Sequence, residues 1–237
     1  MAHIHLIRHG QASFGGDNYD RLSAIGQRQA EVTGRHLKRL GLSFAGVYSG
    51  DMLRQADTAE IAVRAHGAMP APQTESAFNE YDANGLFKCY LPAALKADAE
   101  LAAMLQADRT LLFKDRRTFQ RAFEQMIACW LRGETSEHGQ MESWTDFVAR
   151  VEAGLTRLHE RHAKDEHVAV FTSGGAISVA VRAALKLSDD MAMRVNWGIA
   201  NASITRVQVR RSGYYLLELN NITHLYLAAD PALITYR

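Results

Sequence analysis

The sequence predicts an α/β fold in three layers, with a mainly parallel sheet flanked by helices on both sides. Short apolar runs rich in branched residues alternate with longer amphipathic stretches, and this βαβα order is typical of a parallel sheet. Residues 91–138 instead show helical periodicity without any strand pattern. We therefore predict a single domain over residues 1–237, with a helical insertion at about 88–140.

The first predicted strand, residues 3–8, is apolar and ends in Arg8, His9 and Gly10. In open α/β sheets, ligands bind beyond the carboxyl ends of the strands, so these residues are expected at the mouth of a site. Gly10 lets the backbone turn or approach a ligand closely, and a histidine beside a guanidinium suits chemistry on a phosphoryl group. Residues 11–20, rich in glycine and polar side chains, are the predicted active-site loop. Taken alone, the tripeptide is better interpreted as a surface pair that ends a strand.

The remaining elements continue the alternation of strands and helices. Ser23 is placed to cap the helix that follows it, and Gly41 ends that helix. A late strand at 168–172 runs into Ser173 and a glycine pair at the start of a helix, where exposed backbone N–H groups suit an anion. The predicted helices cover residues 24–40, 51–66, 93–107, 119–131, 143–162 and 176–185, and the other strands cover 44–49, 202–210 and 214–219.

Composition, charge and cysteine spacing argue against several functional classes of protein. The net charge of +1, from 27 basic and 26 acidic residues, gives no reason to expect binding to nucleic acid or to an anionic membrane. Cys89 and Cys129 are far apart and neither belongs to a Cys-x-x-Cys pair, so neither a zinc site nor a redox dithiol is expected. No signal-peptide pattern and no run of about 18 apolar residues occurs. We expect a cytoplasmic protein that uses no metal and no cofactor.

Several short motifs occur in an order that is far more specific than any one of them. They are LIRHGQ at 6–11, LS at 22–23 with Gly26 and QA at 29–30, YSGDMLRQADTA at 48–59, FNE at 78–80, and MES at 141–143 followed by Phe147 and RV at 150–151. Taken together, these motifs resemble those of the histidine phosphatase superfamily, the phosphoglycerate mutase-like α/β proteins. The resemblance covers most of the chain and implies the same fold.

The resemblance implies a two-step phosphoryl transfer, which the chemistry of the residues supports. His9, as neutral imidazole, would attack phosphorus and carry the phosphoryl group. Arg8 and Arg54 would hold the equatorial oxygens, because guanidinium groups match phosphate geometry and stay charged. Glu80 would protonate the leaving oxygen and later deprotonate water, with Asp82 as the alternative acid. The residues expected to bind the phosphate are Arg8, Gln11, Ser13, Arg54, Ser173 and Gly174.

Two departures from the family pattern bear on function. Members usually carry a second catalytic histidine directly before the late glycine pair, and Ser173 stands there. A serine donates only a neutral hydrogen bond, and losing a charged donor to the transition state costs on the order of 3 kcal/mol, roughly a hundred- to thousandfold in rate. His138 and His224 are the alternatives for this role, although a surface or structural position is favoured for both. Gly15 stands where mutases carry an asparagine, which disfavours a mutase.

The sequence leaves three functions open. The leading one is a metal-independent phosphatase that acts on a small phosphomonoester or on a phosphorylated side chain. The second is a catalytically weak relative that binds a phosphorylated ligand or protein, and the third is a phosphoglycerate mutase. Specificity is expected to come from the helical insertion, where Phe113, Lys114, Arg116 and Arg117 fit either a lid over the site or the face of a homodimer.

Overall fold

The computed structural model describes residues 2–13, 20–134 and 139–236. Its strands are β1 His3–Arg8, β2 Phe44–Ser49, β3 Gln73–Thr74, β4 His167–Thr172, β5 Ile204–Arg210 and β6 Gly213–Asn221. They form one six-stranded sheet in the order β3-β2-β4-β1-β5-β6. The α-helices are α1 Ala24–Arg39, α2 Leu53–His66, α3 Ala83–Ala97, α4 Ala99–Ala107, α5 Leu111–Lys114, α6 Arg116–Leu131, α7 Trp144–Arg161, α8 Gly174–Leu185, α9 Asp189–Gly198 and α10 Thr223–Leu227. Two 3-10 turns cover Ser76–Phe78 and Pro231–Leu233.

The strands at the centre of the sheet run in one direction. β4 pairs in parallel with β1 on one side and with β2 on the other, while β5 and β6 extend the sheet with antiparallel pairings. The carboxyl ends of β1, β2 and β4 therefore lie at the same edge of the sheet, at Arg8, Ser49 and Thr172. This confirms the predicted mainly parallel sheet and places Arg8, His9 and Ser173, which end or follow β1 and β4, at one edge.

Both faces of the central strands β1 and β4 are buried, as a three-layer fold requires. Leu6 and Val170 alternate with Ile7 and Phe171 along their strands, so the two pairs point to opposite faces. All four side chains are almost completely buried. The face of Ile7 and Phe171 packs against α1 and α2 in one apolar cluster, formed by Ile7, Leu37, Phe44, Val47, Ala59, Ala62, Met69, Ala169, Phe171 and Ile204. α8 contacts β1, β5 and β6.

The sequence prediction is wrong at several helix boundaries. The helix predicted over 93–107 is two helices, α3 and α4, which meet at Asp98. Asp98 has extended backbone angles and its carboxylate accepts a hydrogen bond from Leu101 N, so it starts α4 as an N-cap. α2 begins at Leu53 rather than at 51, because Met52 is still extended. The short helices α9 and α10 follow no strong apolar pattern and are missing from the prediction.

The chain divides into two compact units, Tyr81–Ala149 and the remainder, Met1–Glu80 with Arg150–Arg237. The first of these is helical, and its apolar cluster consists of Phe87, Leu91, Leu95, Leu101, Leu105, Leu111, Leu112 and Ala122. Phe113 of this unit is 76% exposed. The single domain, and the lid or homodimer face around Phe113, stay predictions.

Buried histidines predict how the stability of the fold depends on pH. His5 lies in β1 with its Nε2 2.9 Å from His167 Nδ1, and burial, followed by His167, lowers the pKa of His5 to about 3. Burial, followed by His36, lowers the pKa of His224 to about 4. Unfolded histidines titrate at about 6.5, so between these values the unfolded chain binds protons that the native protein does not. We expect the free energy of unfolding to fall as the pH is lowered from about 6.5 towards about 4.

Urea unfolding at about pH 7 and about pH 5 measures this fall. The matched variant is His5→Gln, which keeps a polar side chain at the same place but does not titrate. Its free energy of unfolding should fall less between the two pH values than that of the parent. An equally steep fall in the variant would show that His5 does not contribute.

Candidate active site

The imidazole of His9 is held as the neutral tautomer with its proton on Nδ1. The side chain follows β1, is 7% exposed, and its Nδ1 lies 2.7 Å from the carbonyl oxygen of Gly10. Its Nε2 lies 3.2 Å from Nε of Arg54. A carbonyl only accepts and a guanidinium only donates, so Nδ1 carries the proton and Nε2 presents its lone pair. Burial, followed by the charges of Arg54 and Arg8, holds the pKa of His9 well below its usual range.

Backbone contacts fix the turn that carries this imidazole. His9 N donates to the carbonyl oxygen of Thr172 at 2.8 Å, which ties the turn to the end of β4. Gly10 N donates to Oγ1 of Thr58 at 3.0 Å, which ties it to α2. A Cβ at position 10 would lie 2.4 Å from the carbonyl oxygen of Gly26, so only glycine fits between the turn and α1.

Arg54 reaches His9 from the first turn of α2, and Asp20 orients it. The Arg54 side chain is 12% exposed, and its Nη1 donates to Oδ1 of Asp20 at 2.5 Å. The other oxygen of Asp20 accepts from Leu53 N at 2.8 Å, so one carboxylate fixes both the helix start and the guanidinium. Asp20 is a site residue that the sequence analysis missed, because nothing in the local sequence distinguishes it from the other polar residues of the predicted loop.

Arg8 directs its guanidinium at main-chain carbonyls. Its Nη1 donates to the carbonyl oxygen of Ile199 and, at 3.0 Å, to that of Tyr236. Its positive charge is close enough to His9 to lower the pKa of the imidazole. The predicted contact between Arg8 and a phosphate stays a prediction.

Ser173 occupies a fully buried position beside Gln55. Its Oγ accepts a hydrogen bond from Nε2 of Gln55 at 2.7 Å, and the same amide nitrogen donates to the carbonyl oxygen of Phe78 at 3.2 Å. Neither Ser173 nor Gln55 is exposed to solvent. The two side chains thus form a neutral pair at the end of β4. The sequence analysis missed Gln55, although it directly follows Arg54.

The glycine pair at the start of α8 binds a carboxylate of the chain itself. Gly175 N donates to Oε2 of Glu80 at 3.1 Å, so the helix N-terminus predicted to hold an anion holds the predicted acid. A Cβ at Gly174 would lie 2.3 Å from Oδ1 of Asn196, which explains the small residue there. Glu80 is half-buried, whereas Asp82 is exposed and belongs to the unit Tyr81–Ala149.

The loop that carries Glu80 is fixed by Arg150. Nη1 of Arg150 donates to three carbonyl oxygens of the segment, those of Ser76 at 3.1 Å, Ala77 at 2.9 Å and Asn79 at 3.2 Å. One guanidinium therefore satisfies three backbone acceptors directly before the predicted acid. Arg150 belongs to the last of the sequence motifs, and its contacts show that this motif stabilises the loop that carries Glu80.

Gln11 and Ser13 begin the predicted loop. Gln11 N donates to Oε1 of Gln29 at 2.8 Å, and the Gln11 side chain accepts from Oγ of Ser23 at 2.9 Å. Ser13 N donates to the carbonyl oxygen of Arg21 at 2.7 Å. These contacts fix the backbone at both ends of residues 11–13, and any contact of the two side chains with a phosphate stays a prediction.

Of the two alternative histidines, the structure describes only His224. His224 stacks on His36 with ring centroids 5.0 Å apart, and its Nε2 lies 3.1 Å from Oγ1 of Thr33, which is the structural position favoured by the sequence analysis. His138 and Gly15 lie outside the described residues.

Two kinds of feature are absent from the part of the chain that the structure describes. No group of three or more His, Cys, Asp or Glu side chains is arranged there to hold a metal ion. None of the helices there is both long and apolar enough to cross a membrane.

The comparison with known families decides where the chain belongs. The sequence model of the histidine phosphatase superfamily (branch 1) matches residues 4–128 and 112–222. The chain belongs to the histidine phosphatase superfamily. The matched residues of this histidine phosphatase include His9, Arg54, Glu80 and Ser173.

Solved structures share the fold of this histidine phosphatase at low sequence identity. A phosphoglycerate mutase from Bacillus anthracis str. Sterne superposes with a TM-score of 0.65 and 19% identity over 97% of each chain. A mycobacterial glucosyl-3-phosphoglycerate phosphatase has a TM-score of 0.59 and 21% identity, over 92% of this chain and 98% of that one. A mutant phosphoserine phosphatase from Entamoeba histolytica, in complex with phosphoserine, has a TM-score of 0.59 and 16% identity, over 95% of this chain and 100% of that one. At these identities the likeness concerns the fold.

Curated relatives match over a shorter stretch. The serine/threonine-protein phosphatase Pgam5, mitochondrial, of Drosophila simulans is 39% identical over 64 residues, which are 26% of this chain and 22% of that protein. The Drosophila virilis protein of the same name is 41% identical over 61 residues, 25% of this chain and 21% of that protein. The histidine phosphatase described here thus spans less than a quarter of the length of the relatives it matches.

Proposed function

We propose that this histidine phosphatase is a metal-independent phosphatase that hydrolyses a phosphomonoester through a phosphohistidine on His9. The observation that carries the proposal is the state of the His9 imidazole. Its Nδ1 proton is held by the Gly10 carbonyl, its Nε2 lone pair faces the Arg54 guanidinium, and its pKa lies well below the usual range. An unprotonated nitrogen beside a guanidinium is what attack on a phosphate requires.

The proposed reaction has two steps. In the first, the Nε2 lone pair of His9 forms a bond to phosphorus while the bond to the ester oxygen breaks, and Glu80 gives that oxygen a proton. In the second, Glu80 takes a proton from water, the water oxygen bonds to phosphorus, and the bond between phosphorus and Nε2 breaks. The products are an alcohol and inorganic phosphate, and both residues return to their starting states.

The arginines supply the positive charge for this reaction. Asp20 binds Nη1 of Arg54, so the edge of the guanidinium formed by Nε and Nη2 is directed to His9 and Met52. A phosphoryl group bound to that edge would lie beside Nε2 and would replace the Arg54 Nε–H as the partner of its lone pair. The fixed charges of Arg54 and Arg8 support a reaction without a metal, because they can neutralise the equatorial oxygens.

The class of substrate is proposed from the relatives. Proteins of similar sequence or fold are named as phosphatases of serine/threonine-protein, glucosyl-3-phosphoglycerate and phosphoserine substrates. All of these are esters of phosphate with an alcohol. We therefore propose an alcohol phosphomonoester, either a small molecule or a phosphorylated side chain, as the substrate.

One observation favours a second candidate, a catalytically weak protein that binds a phosphorylated ligand. The pair formed by Ser173 and Gln55 is neutral and fully buried, so it brings no charged donor to the site from the end of β4. Such a protein would bind phosphate through Arg8 and Arg54 but release product slowly.

A chromogenic phosphomonoester separates these candidates. We expect phosphate release that is unchanged by a chelator, together with a phosphoryl adduct on the peptide that contains His9 when the reaction is quenched in base. Release that requires an added metal would overturn the proposed mechanism. Binding of inorganic phosphate without release would favour the weak binder, and transfer of the phosphoryl group to phosphoglycerate rather than to water would identify a mutase.

A further inference from the structure

Thr235 links two buried amide side chains, those of Gln29 and Asn201. Both contact the backbone of residues 9–11, which we call the nucleophile turn. Its Oγ1 accepts a hydrogen bond from Nε2 of Gln29 at 2.9 Å and donates one to Oδ1 of Asn201 at 2.9 Å. The backbone of Thr235 is fixed as well, because its carbonyl oxygen accepts from Asn201 N at 2.9 Å. Gln29 and Asn201 are both completely buried. Nε2 of Gln29 also donates to the carbonyl oxygen of Leu233 at 2.8 Å, so the Thr235 hydroxyl shares the orientation of Gln29 with that carbonyl and links it to Asn201.

Each of these amides contacts the backbone on one side of Gly10. Oε1 of Gln29 accepts from Gln11 N at 2.8 Å, and Nδ2 of Asn201 donates to the carbonyl oxygen of His9 at 3.2 Å. The chain of hydrogen bonds thus runs from Gln11 through Thr235 to His9, and it encloses Gly10.

The planarity of the peptide bond transmits these contacts to the imidazole. Gln11 N–H and the Gly10 carbonyl belong to the same peptide plane, so the bond from Gln29 also aims the carbonyl that holds Nδ1 of His9. The His9 carbonyl and Gly10 N–H form the preceding plane, which is held by Asn201 and Thr58. The network of Thr235, Gln29 and Asn201 therefore gives one hydrogen bond to each of the two peptide planes that flank Gly10.

We propose that Thr235 is a positioning residue for the reaction, acting through Gln29 and Asn201 on the two peptide planes around Gly10. The inference rests on the proposed function of His9 as the nucleophile. Thr235 does not contact the reacting atoms; it keeps the Nδ1 proton of His9 on the Gly10 carbonyl and the Nε2 lone pair towards Arg54.

The test replaces the hydroxyl while preserving the shape of the side chain. Thr235→Val removes both hydrogen bonds of Oγ1, and we expect kcat for a chromogenic phosphomonoester to fall by about ten- to a hundredfold, because small misplacements of a nucleophile have effects of that size. Thr235→Ser retains the hydroxyl and is expected to keep kcat close to that of the parent. Nitrogen NMR of labelled histidine reports the tautomer directly, and in Thr235→Val the His9 proton should no longer reside on Nδ1 alone.

The matched control is Thr205→Val. Thr205 is completely buried, whereas Thr235 is half-buried; Thr205 Oγ1 accepts from Asn220 N at 3.0 Å, and no hydrogen bond among the described residues joins its side chain to residues 9–11. The Thr205→Val variant should have a lower free energy of unfolding in urea than the parent, with kcat and the His9 signals unchanged. An equal loss of kcat in Thr205→Val, or a folded Thr235→Val with parent-like kcat or parent-like His9 signals, would overturn the proposal. If Thr235→Val does not fold, Thr235→Ala is judged by the same readouts.

A failure of the proposed function can be distinguished from a failure of the inference about Thr235. If the parent hydrolyses no phosphomonoester, the assignment of His9 as a nucleophile fails. The NMR comparison of the parent with Thr235→Val and Thr235→Ser then decides alone whether Thr235 sets the state of the imidazole.

Discussion

Replacing His9 by alanine is expected to lower the rate of phosphate release by about 10⁴-fold or more, because loss of a nucleophile has effects of this size or larger. The alanine side chain has no lone pair, so no phosphoryl-enzyme can form and only uncatalysed attack by water remains. Initial rates with a chromogenic phosphomonoester measure the effect. The phosphoryl adduct seen after a base quench should disappear from the same variant.

The control for this experiment is His5→Gln, which replaces another buried histidine of the same strand. His5 contacts His167 rather than Arg54, so its replacement should leave phosphate release close to the parent rate. Inorganic phosphate should still bind to His9→Ala, since Arg8 and Arg54 remain. Phosphate release by a folded His9→Ala at a rate near that of the parent would disprove the role of His9.

The double variant Ser173→His with Gln55→Ala is expected to raise the rate of phosphate release by roughly ten- to a thousandfold, the range attributed to a single donor in the transition state. Ser173 and Gln55 are both completely buried and lie 2.7 Å apart at Oγ and Nε2. An imidazole at position 173 needs the space that the Gln55 side chain fills. Shortening Gln55 provides it and allows a charged donor beside the glycine pair.

The single variants distinguish the effect of the larger side chain at position 173 from the effect of the added charged donor. Ser173→His alone is expected to lower the free energy of unfolding by about 1–3 kcal/mol, as overpacked cores do, with little or no gain in rate. Gln55→Ala alone removes the donor to Ser173 and to the Phe78 carbonyl and should bring no gain in rate either. Urea unfolding and initial rates of all three variants provide the comparison. A folded double variant no faster than the parent would show that the missing charge does not limit turnover.

The parts of the site that lie near strand ends could be predicted from the sequence. Arg8 and His9 follow an apolar run, and Ser173 follows another, and parallel pairing brings such ends to one edge. The contact between His9 and Arg54 follows the same logic, because α2 begins directly after β2. The residue types alone suggest phosphate chemistry there.

The residues that orient these groups could not be predicted. Gln29 and Gln55 lie in the matched motifs, but like Asn201 and Thr235 they act through neutral hydrogen bonds to partners far away in sequence, so no local spacing reveals what they orient. Asp20 is an acidic residue in a polar loop until the fold brings Arg54 to it. Periodicity reports burial and secondary structure, whereas hydrogen-bond partners depend on the packed structure.

The pairing of β1 has a consequence for the synthesis of the protein. Among the described residues, β1 lies between β4 and β5 rather than beside β2, so His3 has its strand partners at His167 and Gln208. At about 5–20 residues per second, the ribosome needs on the order of ten to forty seconds to supply them. During that time an apolar strand, the one that ends at the nucleophile, emerges without either neighbour. β1 of the nascent chain is therefore an expected site of chaperone binding, and the hydrogen bonds of His9 to Thr172 and Asn201 form only after those residues have left the ribosome.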